Sequence, residues 1–297
     1  MGKRALITGI TGQDGSYLAE HLWSLGYAVH GLVRRASLFN RTRIEDLRAA
    51  AAATPERFGL HYGDLNDATS LRRTIALVRP DEIYHLAGQS HVGLSFELPE
   101  TTCQENGMAM LALLEIVREL GMPVRVYYAA SSEIFGQPVA APQDEATPFA
   151  PVSPYGVAKA FAVQMGRVYR ASYGLYVCHG IAYNHESPRR GENFVTRKIT
   201  AAAARIRSGS DEVLTLGNLS AARDWGYAPE YVDAMWRALQ APAAGDYVLA
   251  TGRSTTVREF AAAAFAATGV DLVFEGEGVA SSCGVATGWP KISELAA

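Results

Sequence analysis

The chain has 297 residues, 48% of them hydrophobic and 19% charged, which is enough apolar side chain to build one large or two modest globular domains. Its formal net charge of −3 gives no bulk attraction to nucleic acid or to a membrane surface, and no apolar run is long enough to cross a bilayer, so we expect neither as a partner and no signal peptide. Cys103, Cys178 and Cys283 are far apart and form no CxxC motif, so we expect reduced thiols, no metal site and a cytoplasmic protein.

The first predicted element is a strand over residues 5–7, which is followed by a glycine turn and a helix. Gly9, Gly12 and Gly15 are spaced three residues apart as GxxGxxG, and apolar residues at helical spacing begin at Tyr17. Such a turn lets the backbone approach a pyrophosphate, which binds the N–H groups and the positive dipole end of the helix. The order of strand, turn and helix therefore predicts a dinucleotide site. A glycine-rich surface turn is the alternative.

A second strand is predicted over residues 28–33, and Arg34 and Arg35 follow it directly. In a dinucleotide-binding fold this position faces the adenosine ribose, where an acidic residue binds the 2′-hydroxyl and a basic residue favours a 2′-phosphate. The pair therefore predicts NADP rather than NAD, and the alternative is that both arginines are merely solvated. A third strand over residues 58–62 precedes Asp64, which could meet the adenine amino group.

Strands and helices continue to alternate through the first half of the chain. Further strands are predicted over residues 82–87 and 126–130, with a helix over residues 108–119 between them. This alternation predicts an α/β fold, a doubly wound Rossmann-type parallel sheet with its site at the carboxyl ends of the strands. We expect residues 1–180 to form an NADP-binding Rossmann domain with the catalytic residues. We expect residues 181–297 to form a smaller C-terminal α/β domain that binds substrate and partly returns to the first.

Two groups of polar residues could carry chemistry. Tyr155 and Lys159 form a YxxxK pair, and at this spacing they share one face of a predicted helix. A lysine ammonium beside a phenol favours the phenolate, so the tyrosine could act as a base near neutral pH. Ser131 and Glu133 follow the fifth strand, where the serine could hold a substrate hydroxyl and the carboxylate could abstract a proton next to a carbonyl. The alternatives are a helix surface pair and a helix-capping or solvent-facing acid.

These motifs resemble those of the extended short-chain dehydrogenase/reductase family and, more narrowly, of the GDP-mannose 4,6-dehydratase family. The matching stretches cover most of residues 3–275. The narrowest are NHESPRRGENFVTRKIT, which begins at Asn184, and RDWG, which begins at Arg223. ALITGITGQDGSYLAE, VHGLVRRAS, LHYGDLND, SSE and SPYGVAKAFA also match, whereas GxxGxxG and YxxxK mark only the superfamily.

The resemblance implies a set of site residues. The implied catalytic residues are Ser131, where the family usually has threonine, Glu133, Tyr155 and Lys159. The implied cofactor-binding residues are Gly9, Thr11, Gly12, Gln13, Asp14, Gly15, Arg34, Arg35, Asp64, Leu65, Leu86, Ala87, Tyr155, Lys159, His185 and Arg190. The implied substrate-binding residues are Ser90, Glu133, Asn184, Arg189, Lys198, Asn218 and Arg223.

The implied reaction converts GDP-mannose to GDP-4-keto-6-deoxymannose by internal hydride transfer through bound NADP. Tyr155 takes the proton of the C4 hydroxyl while hydride leaves C4. The new ketone acidifies C5–H, Glu133 removes that proton, water is lost from C6 and the hydride returns there. The alternatives are an epimerase, a 5,6-dehydratase or a 4-reductase of the same family acting on a different nucleotide sugar, and a non-catalytic NADP-binding protein. Glu133 argues against a simple 4-epimerase or 4-reductase, because neither needs a base at C5.

Two further features concern the oligomer and the nucleotide. In the family the segment after the arginine pair, which includes Leu38 and Phe39 here, reaches a neighbouring subunit and implies a homo-oligomer, either a tetramer or a dimer. Towards its end the family normally has an Arg-Pro element near the nucleotide pyrophosphate, and this chain instead continues from Gly278 as GVASSCGVATGWPKISELAA. A charged hydrogen bond of that kind is worth roughly 1.5–3 kcal/mol, so the resemblance leaves the nucleotide more open than the reaction.

Overall fold

The computed structural model of the chain describes residues 2–37, 40–275, 282–285 and 291–294. Its strands are β1 (Arg4–Thr8), β2 (Ala28–Val33), β3 (Phe58–Tyr62), β4 (Glu82–His85), β5 (Arg125–Ser131), β6 (Tyr176–Ala182), β7 (Asn184–Glu186), β8 (Thr215–Leu216), β9 (Ala222–Tyr227), β10 (Asp246–Leu249), β11 (Ser254–Thr256), β12 (Leu272–Glu275), β13 (Ser282–Val285) and β14 (Lys291–Glu294). Its α-helices are α1 (Gln13–Ser24), α2 (Glu45–Ala50), α3 (Ala68–Val78), α4 (Leu94–Glu97), α5 (Pro99–Cys103), α6 (Ala109–Leu120), α7 (Pro154–Tyr173), α8 (Val195–Arg207), α9 (Ala228–Gln240) and α10 (Val257–Ala266).

A seven-stranded sheet in the order β10-β6-β5-β4-β1-β2-β3 forms the centre of the first part of the chain. All of its neighbouring strands pair in parallel. Alternate side chains of β1 point to opposite faces, so Leu6 packs into one core cluster and Ala5 and Ile7 into the other. Because helices pack against the sheet in both clusters, the predicted doubly wound Rossmann-type fold is confirmed.

The strand predicted over residues 82–87 ends earlier than expected, at His85. Beyond it the backbone N–H groups of Leu86 and Ala87 each lie 3.2 Å from the hydroxyl oxygen of Thr8, which accepts from both. The Leu86 N–H also donates to the Thr8 carbonyl oxygen at 3.3 Å. The Thr8 hydroxyl therefore adds to the last bond of the ladder, and the chain after β4 turns across the end of β1. The predicted helix over residues 108–119 also differs, because a π-helical turn, Gln104–Met108, precedes α6.

Two compact units divide the chain. The first comprises Met1–Tyr183 and Ala228–Leu249, since α9 packs into one of the sheet's core clusters and β10 pairs with β6. The second comprises Asn184–Tyr227 and Ala250–Ala297 and contains the three-stranded sheet β11-β9-β7 and the four-stranded sheet β12-β13-β14-β8. Its core is built from α8 and α10 through residues such as Ile199 and Phe265. In the described ranges, no helix has the length and apolar character needed to span a bilayer.

Candidate active site

The glycine turn lies where the strand order of the sheet reverses, between β1 and its neighbour β4. Gly9 has a φ of +75°, and a Cβ there would lie 2.9 Å from the backbone nitrogen of Ala87. A Cβ on Gly15 would lie only 2.2 Å from the carbonyl oxygen of Gly9, so helix and strand approach this closely only because both positions are glycine. Gly12 is the N-cap of α1 and supplies no side-chain acceptor.

This turn fits the pyrophosphate of a dinucleotide. The predicted residues Thr11, Gln13 and Asp14 belong to the turn and the first turn of α1, while Leu86 and Ala87 close it from β4. A helix N-terminus without a capping side chain offers backbone N–H groups and a positive dipole end to an anion. The sequence-predicted residues of the two strand ends are therefore brought together at one edge of the sheet.

An open cavity of about 600 Å³ lies at the predicted adenosine end, beside β2 and β3. Its lining contains Arg34, Arg35 and Asp64, as the sequence predicted, and also Arg73 from α3. Arg34 is largely exposed and forms an ion pair of 3.3 Å with Glu105 of the π-helical turn. The side chain of the predicted residue Leu65 is instead buried in the core. Leu38 and Phe39 lie outside the described residues.

Ser131 and Glu133 stand at the carboxyl end of β5, where the strand runs into a 3-10 turn, Ser132–Ile134. The Ser131 hydroxyl oxygen caps this turn by accepting from the Glu133 N–H at 3.3 Å. Both residues are only partly buried, so their side chains remain accessible at the strand end. Ser90, which follows β4, is exposed.

Tyr155 and Lys159 lie in the first two turns of α7, and both are almost completely buried, with 7% and 6% of their surfaces exposed. The helix begins at this point because Ser153 caps it, accepting from the Gly156 N–H at 3.0 Å, and Pro154 occupies its first position. A Cβ on Gly156 would lie 2.6 Å from the carbonyl oxygen of Glu133. This close approach brings the start of α7 against the turn that carries Glu133.

The ammonium group of Lys159 is held by a hydrogen bond to the backbone of β5. Its Nζ donates to the Ala129 carbonyl oxygen at 2.8 Å, and lies 4.8 Å from the ring centroid of Tyr128 and 5.7 Å from that of Tyr155. Burial lowers the pKa of Lys159 to about 7. A nearby negative charge stabilises a buried ammonium, and a Tyr155 phenolate would supply such a charge.

The histidine near Lys159, His85, is held in its neutral form. His85 is fully buried, and its Nδ1 lies 2.9 Å from the Thr8 hydroxyl oxygen. Burial, and to a smaller extent the charge of Lys159, lowers the pKa of His85 to about 3, so this imidazole is neutral at physiological pH. Neither His85 nor Tyr128 was singled out from the sequence, because nothing in their spacing shows that three strands bring them next to a lysine.

The remaining predicted residues belong to the second unit. Asn184 and His185 lie on β7, and the guanidinium of Arg190 pairs with Glu186 at 3.2 Å and stacks 3.7 Å from the ring of Phe194. The other predicted substrate residues each make a local contact. The Arg189 N–H donates to the Ser187 hydroxyl, the Lys198 Nζ donates to the Thr215 carbonyl, the Asn218 side chain accepts from the Ser220 N–H, and an Arg223 N–H donates to the Ala222 carbonyl.

No group of three or more His, Cys, Asp or Glu side chains in the described part of the chain is placed to hold a metal ion. Cys103 and Cys178 are free thiols, and the side chain of Cys283 lies outside the description. The described part of the chain therefore offers a glycine turn suited to an anion and an arginine-lined cavity at the predicted adenosine end. The predicted catalytic residues lie nearby in the chain order of the sheet, Ser131 and Glu133 at the end of β5 and Tyr155 and Lys159 on α7. Together with the parallel sheet, this layout defines a Rossmann-type protein of the extended short-chain dehydrogenase/reductase class.

Comparison with known proteins narrows this class. The family described as GDP-mannose 4,6 dehydratase matches residues 6–288. The chain is 53% identical to GDP-mannose 4,6 dehydratase 2 of Caenorhabditis elegans over 281 residues, which are 93% of this chain and 74% of the relative. The chain belongs to the GDP-mannose 4,6-dehydratase family.

Solved structures give the same fold. A dTDP-glucose 4,6-dehydratase from Streptomyces venezuelae with NAD bound aligns with a TM-score of 0.79 and 25% identity, over 90% of this chain and 82% of that one. A UDP-glucose 4-epimerase from Thermus thermophilus in complex with NAD aligns with a TM-score of 0.76 and 28% identity, over 90% of this chain and 83% of that one. Both chemistries are thus found on this fold, so the reaction must be argued from the site.

Proposed function

We propose that this protein is a nucleotide-sugar 4,6-dehydratase that converts GDP-mannose to GDP-4-keto-6-deoxymannose with bound NADP. The observation that carries the proposal is the close approach of Gly156 to the backbone of Glu133, at the start of the helix that contains Tyr155 and Lys159. A 4-epimerase needs one base at C4, whereas a 4,6-dehydratase needs a second base at C5. Similarity to GDP-mannose 4,6-dehydratases along 93% of the chain supports GDP-mannose as the substrate.

The residues divide the proton transfers between them. Tyr155 accepts the proton of the C4 hydroxyl, and the charge of Lys159 favours the phenolate that does so. Ser131 holds the same hydroxyl in place. Once C4 is a ketone, C5–H is acidic and Glu133 removes that proton, which leaves with the C6 hydroxyl as water. When bound, NADP would supply a reversible hydride acceptor, so the sugar is oxidised at C4 and reduced at C6 with no net change in cofactor. C5 takes a proton back as C6 is reduced, which balances the proton that Tyr155 accepted from the C4 hydroxyl.

The cofactor and the nucleotide sugar have separate sets of ligands. Gly9, Gly12 and Gly15 would hold the pyrophosphate of NADP, and Arg34 and Arg35 its 2′-phosphate, for which the arginine-lined cavity is the supporting observation. The second unit would hold the nucleotide sugar with polar and cationic side chains, namely Asn184, Arg189, Lys198, Asn218 and Arg223. The family resemblance also implies His185 and Arg190 as cofactor ligands. The free thiols of Cys103 and Cys178 support a reducing, cytoplasmic location.

An exposed apolar face supports the expected homo-oligomer, a dimer or a tetramer. Val157, Phe161 and Val168 lie on one side of α7 and are 51%, 39% and 50% exposed. Side chains at this spacing form a continuous stripe on a helix. We expect Phe161→Glu to reduce the molar mass measured by light scattering, because a charge in the stripe opposes burial against a second copy. An unchanged mass would show that this face is not the contact.

The reaction is tested by incubating the purified protein with NADP+ and either GDP-mannose or other nucleotide sugars, followed by mass spectrometry. We expect a product lighter by one water from GDP-mannose, with no net reduction of cofactor. Deuterium placed at C4 should appear at C6, and Tyr155→Phe should abolish the product. An isomer of unchanged mass would show an epimerase instead, and an alkene without deuterium return would show a 5,6-dehydratase.

A further inference from the structure

The cavity at the adenosine end contains one more arginine than the sequence assigned to the cofactor. Arg34 and Arg35 follow β2, whereas Arg73 comes from α3, after the third strand, and lines the same cavity. We propose that Arg73 is a third cation that binds the 2′-phosphate of NADP and contributes to the preference for NADP over NAD. This inference rests on the proposed use of NADP.

The three arginines are not equivalent before a phosphate arrives. Arg34 is already ion-paired with Glu105 at 3.3 Å, which compensates part of its charge. Across the described ranges, Arg35 and Arg73 form no hydrogen bond or ion pair with another side chain. A 2′-phosphate carries close to two negative charges near neutral pH. Arg35 and Arg73 together therefore match the charge of the phosphate better than Arg35 does with Arg34, whose charge Glu105 partly compensates.

Two carboxylates also line the cavity, and their hydrogen bonds explain why they do not neutralise Arg73. The Asp67 carboxylate caps α3 and accepts from the N–H groups of Thr69 at 3.0 Å and Ser70 at 3.1 Å. These hydrogen bonds, led by the one from Ser70, lower the pKa of Asp67, and the charge of Arg73 adds to the effect. Asp64 likewise accepts from a backbone N–H, that of Asn66, at 2.9 Å.

These carboxylates make a third cation necessary. Asp64 and Asp67 both line the cavity, so a phosphate placed there meets two acidic side chains. Because Glu105 already compensates part of the charge of Arg34, Arg34 and Arg35 alone leave little positive charge for the phosphate. Arg73, which lines the same cavity, adds a positive charge that favours a phosphate over a hydroxyl at the ribose 2′-position.

The helix offers a matched control. Arg72 precedes Arg73 on α3 and is also exposed, but it pairs with Glu119 and does not line the cavity. Arg72→Gln and Arg73→Gln remove the same charge from adjacent exposed positions. Any loss of fold stability or of general attraction to anions should therefore be shared by the two variants.

The test is isothermal titration of wild type and both variants with 2′,5′-ADP and with ADP, which differ in the 2′-phosphate. We expect Arg73→Gln to weaken 2′,5′-ADP binding roughly tenfold, equivalent to about 1.4 kcal/mol, since an exposed charge-assisted contact lies at the low end of its range. ADP binding should be unchanged, as should both affinities in Arg72→Gln.

Four results would count against this reasoning. Equal 2′,5′-ADP binding by wild type and Arg73→Gln would refute the role of Arg73, as would equal weakening of 2′,5′-ADP and ADP. The same loss in Arg72→Gln would show a general charge effect and also refute it. A wild-type protein that binds 2′,5′-ADP no better than ADP would refute the proposed use of NADP itself, and this failure is visible without any variant.

Discussion

We predict that the buried ammonium of Lys159 lowers the free energy of unfolding of the protein near neutral pH. Its ammonium is buried, donates to the Ala129 carbonyl oxygen, and lies near the rings of Tyr128 and Tyr155. Burial lowers its pKa from 10.5 to about 7. The substitution Lys159→Met keeps a long flexible side chain and removes the charge. We expect it to abolish the reaction and at the same time to remove a pH-dependent cost to stability.

The sign and size of this cost follow from proton linkage. Between pH 7 and 10.5 the unfolded chain holds a proton on this lysine that the folded chain has lost, so the free energy of unfolding rises with pH. Each pKa unit corresponds to about 1.4 kcal/mol, and the part of the window between pH 7 and 9 gives a gain of about 2 kcal/mol. Lys159→Met should lack this gain, because its side chain does not titrate.

The assay is urea unfolding of nucleotide-free protein at pH 7, 8 and 9, followed by tryptophan fluorescence. From pH 7 to pH 9, the free energy of unfolding of wild type should rise by about 2 kcal/mol relative to that of Lys159→Met. Lys198→Met, at an exposed lysine, should follow the wild-type dependence. Parallel pH dependences for wild type and Lys159→Met would show that the ammonium is not buried at a cost, and the electrostatic account of the site would fail.

Three other substitutions test separate parts of the structure. Glu133→Gln should lower kcat by about 10²–10⁴-fold with little change in substrate affinity, because it removes a proton-transferring group; an active variant would exclude Glu133 as the C5 base. Tyr128→Leu removes the ring beneath Lys159, a contact worth about 2 kcal/mol when desolvated, and should move the alkaline limb of the kcat/KM profile about one unit lower. Tyr128→Phe keeps the ring and should leave that limb in place. Identical pH profiles for the two variants would show that the aromatic ring does not affect the pKa of Lys159. Tyr84→Phe removes the 2.7 Å hydrogen bond to the buried Glu82 carboxylate and should cost about 1–3 kcal/mol in unfolding free energy, whereas an unchanged unfolding midpoint would show that water satisfies this oxygen.

Much of the first unit could be predicted from local sequence. The strands predicted over residues 28–33 and 58–62 have the same limits as β2 and β3. The predicted helix that contains Tyr155 and Lys159 is present as α7, and its capping signals, Ser153 and Pro154, are adjacent in the chain. Such signals are local, so a single sequence contains them.

Other features of the site could not be predicted, because they depend on residues far apart in the chain. Arg73 joins Arg34 in one cavity only because β2 and β3 lie side by side in a parallel sheet. Tyr128 lies beneath Lys159 because α7 packs on β5. Neither contact has a sequence period, since the packing of separate elements creates it.

The sequence by itself determined the order of the elements, the glycine turn, the arginine pair and the four candidate catalytic residues, because each is written within a few neighbouring positions. Only the tertiary structure decided how closely these parts approach. The 2.6 Å distance from a Cβ on Gly156 to the Glu133 carbonyl, the burial that brings the pKa of Lys159 to about 7, and the third arginine of the cavity all arise from packing. Burial and long-range proximity set the energies of charges, and both exist only once the chain is folded.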